Sequence, residues 1–117
     1  MTAQVKTLPH PGLKEAVNGV LHVGKLEGKA HGVVPPYDNA RERDSVVFTV
    51  QTSTGNTWSD QIILNNLTVG KPVIFSIPKE TFEKNLVPDA TAKLRYRVTT
   101  ASGNQADSAD LGVQLKR

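Results

Sequence analysis

In residues 93–99 every second side chain is apolar: Leu94, Tyr96 and Val98 share one parity, and Lys93, Arg95, Arg97 and Thr99 share the other. A period of two puts those sets on opposite faces of an extended chain, one for a core and one for water. No helix satisfies that pattern. Ser102, Gly103 and Asn104 then supply a turn, and Ala109, Leu111, Val113 and Leu115 resume the alternation. The pair reads as a hairpin closing a β domain.

The same period recurs upstream. In "SVVFTVQT", Val46, Phe48 and Val50 share a face, and residues 53–56, "STGN", turn the chain into "TWSDQIILNN", with Trp58, Asp60, Ile62 and Leu64 in phase. Val73, Phe75 and Ile77 form a third inward set, stopped by Pro78. "KETFEKNL" has the composition of one or two helical turns, with Phe82 and Leu86 four apart and Pro88 barring extension. Near the start, Asn18-Gly19 splits "LKEAVNGVLHV" into two short strands around a tight turn. Leu26, Gly28, Ala30 and Gly32 share one parity, and such small residues imply a strand pressed against a neighbour or bulged.

The expectation is an all-β fold: an antiparallel sandwich of about seven strands, with turns every 8 to 12 residues. Strands wet on one side only need a second sheet over the other. Residues 1–12, broken by Pro9 and Pro11, read as a lead-in or linker, and residues 13–117 as one domain. A chain of 117 residues with 38% hydrophobic and 21% charged side chains supports a single core. It has no cysteine, which excludes disulfides and thiolate chemistry. The net charge of +3 falls short of the clustered basic surface of a nucleic-acid binder, so none is expected as partner. No apolar run approaches the roughly 20 residues of a membrane helix, and the N-terminus carries no secretory signal pattern.

"LRYRVTTASGNQADSADLGVQL", through Tyr96, Val98, Gly103 and Ser108, resembles the end of fibronectin type III and related immunoglobulin-like domains. Over a longer span, "EAVNGVL", "VVPPYDNARERDSVVFTV", "KPVIFSIPKETF" and "LRYRVTTASG" resemble the immunoglobulin-like repeats of large surface and adhesin-type proteins of Gram-negative bacteria. Pro36-Tyr37 ahead of Arg43-Asp44, and Phe75 three residues before Pro78, carry most of that likeness. Departures are Arg43, where such repeats carry glycine before the aspartate, and Val50, where an aromatic often sits. The resemblance implies an immunoglobulin-like sandwich serving as a non-catalytic spacer, display or adhesive unit. It also implies an extracellular or bacterial cell-surface location and a protein or glycan partner there.

Patterns for chemistry are sparse. His10, His22 and His31 are too far apart for a zinc signature, and they read as lead-in and strand-edge residues. Asp38, Asp44, Asp60, Asp89, Asp107 and Asp110 do not form a calcium loop. No serine sits in a G-x-S-x-G elbow, and "GKLEGKAHG" is not a phosphate loop. No enzyme activity and no cofactor are expected. The sequon Asn66-Leu67-Thr68 matters only in a eukaryotic secretory route.

Two candidate ligand sites remain. Trp58, with Asp60 and Asn56 nearby, could stack on a sugar, although its parity with Ile62 and Leu64 points it at the core. Arg95 and Arg97, with Lys93, form a cationic strand face, which either keeps the sheet soluble or reads an anionic glycan. The alternative functions are therefore a carbohydrate-binding, lectin-like module and, from Met1 and a chain that ends with the domain, a free-standing toxin or effector. The variable segments to watch are residues 35–44, 53–57 and 101–107 and the helical crossing at 79–86. Exposed edge strands allow a monomer or a weak dimer.

Overall fold

A computed structural model describes residues 8–37 and 40–117. The start of the lead-in, residues 1–7, and Asp38 in the expected 35–44 loop lie outside the described residues.

The fold is all-β, with nine strands among the described residues, two of them only Gly12–Leu13 (β1) and Val20–His22 (β2). Lys29–Val34 is β3, Ser45–Thr52 β4, Thr57–Ile63 β5 and Val73–Pro78 β6. After the helix Lys79–Glu83 (α1) come Thr91–Thr99 (β7), Gln105–Asp107 (β8) and Leu111–Lys116 (β9). They build a small sheet in the order β1-β3-β6 and a larger one in the order β2-β9-β7-β4-β5, with β8 added beside β7. The expected all-antiparallel arrangement is corrected at two places, the parallel bridge of Leu8 with Ser108 and the pairing of β2. β2 runs parallel to β9, because the first strand divides between the sheets and its second half meets β9 in the same direction.

The division happens at Asn18-Gly19. Val17 and Val20 exchange backbone hydrogen bonds of 2.9 and 3.0 Å, and both turn residues have positive φ, 51° and 78°. A two-residue hairpin turn with both central φ values positive favours this dipeptide. The chain thereby leaves β1 in one sheet and enters β2 in the other.

The core lies between the sheets. Val46, Phe48 and Val50 of β4 sit opposite Val98, Tyr96 and Leu94 of β7, and all six are buried. Slipping either strand by one residue would turn its apolar set to solvent, so burial fixes the register. From the small sheet come Ala30 and Val34 of β3 and Val73, Phe75 and Ile77 of β6. Gly32 explains how closely β3 approaches: a Cβ there would lie 2.6 Å from Phe48 Cζ. The bare backbone therefore rests on the Phe48 ring, which packs 5.1 Å from the Phe75 ring.

By register the described residues begin at the end where β7 finishes and stop at the end where β7 begins. Leu8 donates its N–H to the Asp107 carbonyl and accepts from Ala109, while Lys116 pairs with His22 at the far end. The described lead-in residues pack on the domain. Pro11 is buried, and the Pro9 carbonyl accepts the Tyr96 hydroxyl at 2.7 Å. Burial raises the pKa of that hydroxyl to about 12. Opposite, α1 buries Phe82, and its last carbonyls are capped by Asn56, whose Nδ2 donates to Thr81 and Lys84 at 3.0 and 2.8 Å.

Candidate functional site

The four residues singled out from sequence fall on opposite faces of the larger sheet. Trp58 and Asp60 belong to β5, opposite Val50 and Phe48 of β4, so both start toward the core. Trp58 is half-buried and meets the Phe48 ring edge-on, at 6.5 Å and 63°. Asp60 is exposed, and among the described residues Oδ1 accepts only the neighbouring Gln61 N–H at 2.8 Å. Parity fixes which face Trp58 shares. Its residual exposure arises because β5 is the edge of the larger sheet, facing a sheet of only three strands. Asn56, considered as a partner for Trp58, is committed to α1.

Arg95 and Arg97 lie on the outer face of β7, opposite Thr49 and Val47 of β4. With Thr99 and Asp107 they border a shallow depression of about 360 Å³. The expected 101–107 loop ends in β8, which sets Asp107 directly across from Arg97. Arg97 Nε donates to Asp107 Oδ1 at 2.7 Å and Nη2 to Oδ2 at 3.4 Å. That hydrogen bond holds the Asp107 carboxyl below its ordinary pKa, and Asp107 in turn raises that of Arg97. Lys93 Nζ lies 3.9 Å from Asp110. Among the described residues Arg95 alone of the three cations has no ion pair. The face is therefore largely self-neutralised.

Two polar clusters escape sequence reading. The Glu15 carboxylate accepts the His31 backbone N–H at 2.7 Å and lies 2.6 Å from His31 Nδ1. It takes the place of a strand partner where β1 leaves the small sheet. Burial raises the Glu15 pKa, but the His31 hydrogen bonds outweigh it and leave the net value lowered. The pair stands on one wall of a groove of about 650 Å³ that also includes Val17, His22, Leu26 and Lys29. Asp44, buried, accepts from the Tyr37 hydroxyl at 2.8 Å and from the Arg41 N–H at 3.1 Å. Burial and that hydrogen bond push the Tyr37 hydroxyl pKa upward. The Pro36-Tyr37 and Arg43-Asp44 spacing was the only signal for the second cluster, and the first had none.

Among the described residues no three His, Asp or Glu side chains converge as a metal site, and no helix is long and apolar enough to cross a membrane. Comparison with family models, with curated proteins and with solved structures returns no match.

Proposed function

We propose that this chain is a non-catalytic immunoglobulin-like module, serving as a spacer or display unit of a bacterial surface or secreted protein. The strand order carries the reading. In chain order, β1-β3-β6 corresponds to strands A, B and E of an immunoglobulin-like sandwich, and β9-β7-β4-β5 to G, F, C and C′. The first strand divides between both sheets, as A and A′. The D position beside β6 is vacant among the described residues.

Two further observations favour a spacer over a lectin-like module. The described residues begin and stop at opposite ends of the sheets, an arrangement that suits a linear array. Two of the three outward cations on β7 are already paired with carboxylates, which weakens their pull on an anionic glycan. The bacterial surface setting rests on the resemblance of most of residues 13–117 to adhesin repeats.

The test is a titration of the purified protein with neutral, sulfated and sialylated glycans, followed by calorimetry and Trp58 emission. The spacer reading expects no saturable heat or spectral change with any of them. Saturable binding of one sugar class, abolished by Arg95→Ala or by Trp58→Ala, would replace it with the carbohydrate-binding reading.

A further inference from the structure

We propose that the free edge of β6 and the partly uncovered inner face of β5 form a slot for one extended peptide segment with an apolar–basic–apolar alternation. This does not rest on the spacer reading, since it concerns a flank of the sandwich rather than its role in an array.

The backbone supplies one wall. Among the described residues β6 pairs only with β3 and ends the small sheet. The His31 carbonyl accepts Lys14 N–H and its own N–H goes to Glu15, so the polar groups of His31 point toward β1. On the same ladder Lys79 donates to Gly28. Antiparallel pairs alternate between hydrogen-bonded and non-hydrogen-bonded. The pairs His31↔Ser76 and Val33↔Ile74 are therefore of the second kind. The N–H and C=O groups of Ile74 and Ser76 consequently face outward from the sheet, ready for another strand. Pro78 lacks an N–H and ends the row. No charged residue lies between Lys71 and Lys79 to guard this edge.

Side chains supply the other wall. Trp58, Asp60 and Ile62 alternate along β5 on the face turned to the small sheet, the two apolar ones half-buried and Asp60 exposed. Phe48 joins the walls, touching Trp58 on one side and Phe75 of β6 on the other. A strand added beside β6, about 4.8 Å further out, extends the small sheet toward β5. Its inward residues i, i+2 and i+4 then meet Trp58, Asp60 and Ile62. Apolar side chains suit the ends and a lysine or arginine suits the middle, in either strand direction. A second copy does not fill the slot through its own β6, because Val73, Phe75 and Ile77 there are buried in their own core. The occupant is a separate extended peptide, bound by strand addition.

The probe is the capped heptapeptide Thr-Val-Thr-Lys-Thr-Val-Thr, followed by Trp58 emission and residue-resolved amide hydrogen exchange. The expected result is a saturable change at Trp58 with slowed exchange at Ile74 and Ser76. Replacing the central lysine by glutamate should weaken binding about two- to fivefold, the range of an exposed ion pair, and Asp60→Lys should reverse that preference. The proposal is overturned by absence of saturation up to millimolar peptide, or by binding that leaves the Ile74 and Ser76 amides unprotected. Protection of those amides by concentration-dependent dimerisation without peptide would equally overturn it and assign the edge to self-pairing.

Discussion

β4 and β7 pair without interruption from Ser45 opposite Thr99 to Thr52 opposite Ala92, whereas β1 meets β3 only through Gly12 and Leu13. The larger sheet spreads its stability over many ordinary pairs of alternating side chains, each contributing a few tenths of a kcal/mol to about 1 kcal/mol. The smaller one has one such ladder, β3 with β6, and adds specific contacts: a glycine under an aromatic ring and a carboxylate clamped on a histidine. Single substitutions should therefore act unequally on the two sheets.

The largest effect is expected from the glycines. A Cβ at Gly32 would lie 2.6 Å from Phe48 Cζ, 3.0 Å from Cε1 and 3.2 Å from Ile77 Cδ1, all within the packed core. Gly32→Ala forces β3 away from that ring and should cost about 2 kcal/mol. Gly112 in β9 offers the contrast, since a Cβ there meets nothing within 4 Å. Gly112→Ala should be neutral or stabilise by up to about 1 kcal/mol through lost freedom of the unfolded chain. Urea midpoints at unchanged slope measure both. Equal losses at the two sites would remove the distinction between the sheets.

Next in size is the Glu15–His31 clamp. The folded-state pKa of Glu15 lies below the ordinary carboxylate value, so its contribution is fully present above that ordinary value. It disappears as pH falls through the folded pKa, because the protonated carboxyl loses its advantage. Glu15→Gln should cost about 1 kcal/mol at neutral pH, and the gap to the parent should close as the pH falls below the ordinary carboxylate range. Asp107 shifts in the same direction in the larger sheet, but it is more exposed and better screened. Asp107→Asn should change the acid limb less than Glu15→Gln does. A larger effect at Asp107 would locate the acid-sensitive contact in the wrong sheet.

The same contrast decides what was legible in the sequence. β4, β7 and β9 are written in their alternation, and Asn18-Gly19 and the small residues of β3 signalled a turn and a close approach. Parity placed Trp58 toward the core but could not show where the facing sheet stops, which is what leaves its ring half open. The parallel pairing of β2 with β9 was invisible because side chains alternate identically in parallel and antiparallel strands. Glu15 and His31 are 16 residues apart and belong to no shared period. Asp107 lay in an expected loop, so its neutralisation of Arg97 went unseen. Contacts made by polar side chains across the fold leave no period in the chain.

Arg43 gives the smallest effect and tests the larger sheet at an irregular place. Its N–H donates to the Leu64 carbonyl at 2.8 Å, while Leu64 N–H donates to the Asp44 carbonyl at 2.9 Å. Two residues on the β4 side thus face one on the β5 side, as in a β-bulge whose first position favours a left-handed glycine. Arg43 holds that position at φ 75°, with its side chain exposed. A non-glycine residue there costs about 1 kcal/mol or more in backbone strain, and glycine recovers it less its own greater loss of freedom on folding. Arg43→Gly should therefore stabilise by about 0.5 kcal/mol, seen as a higher urea midpoint at unchanged slope. A lower midpoint would mean that the arginine side chain contributes more than its backbone strain costs, and that even the regular sheet depends here on one specific residue.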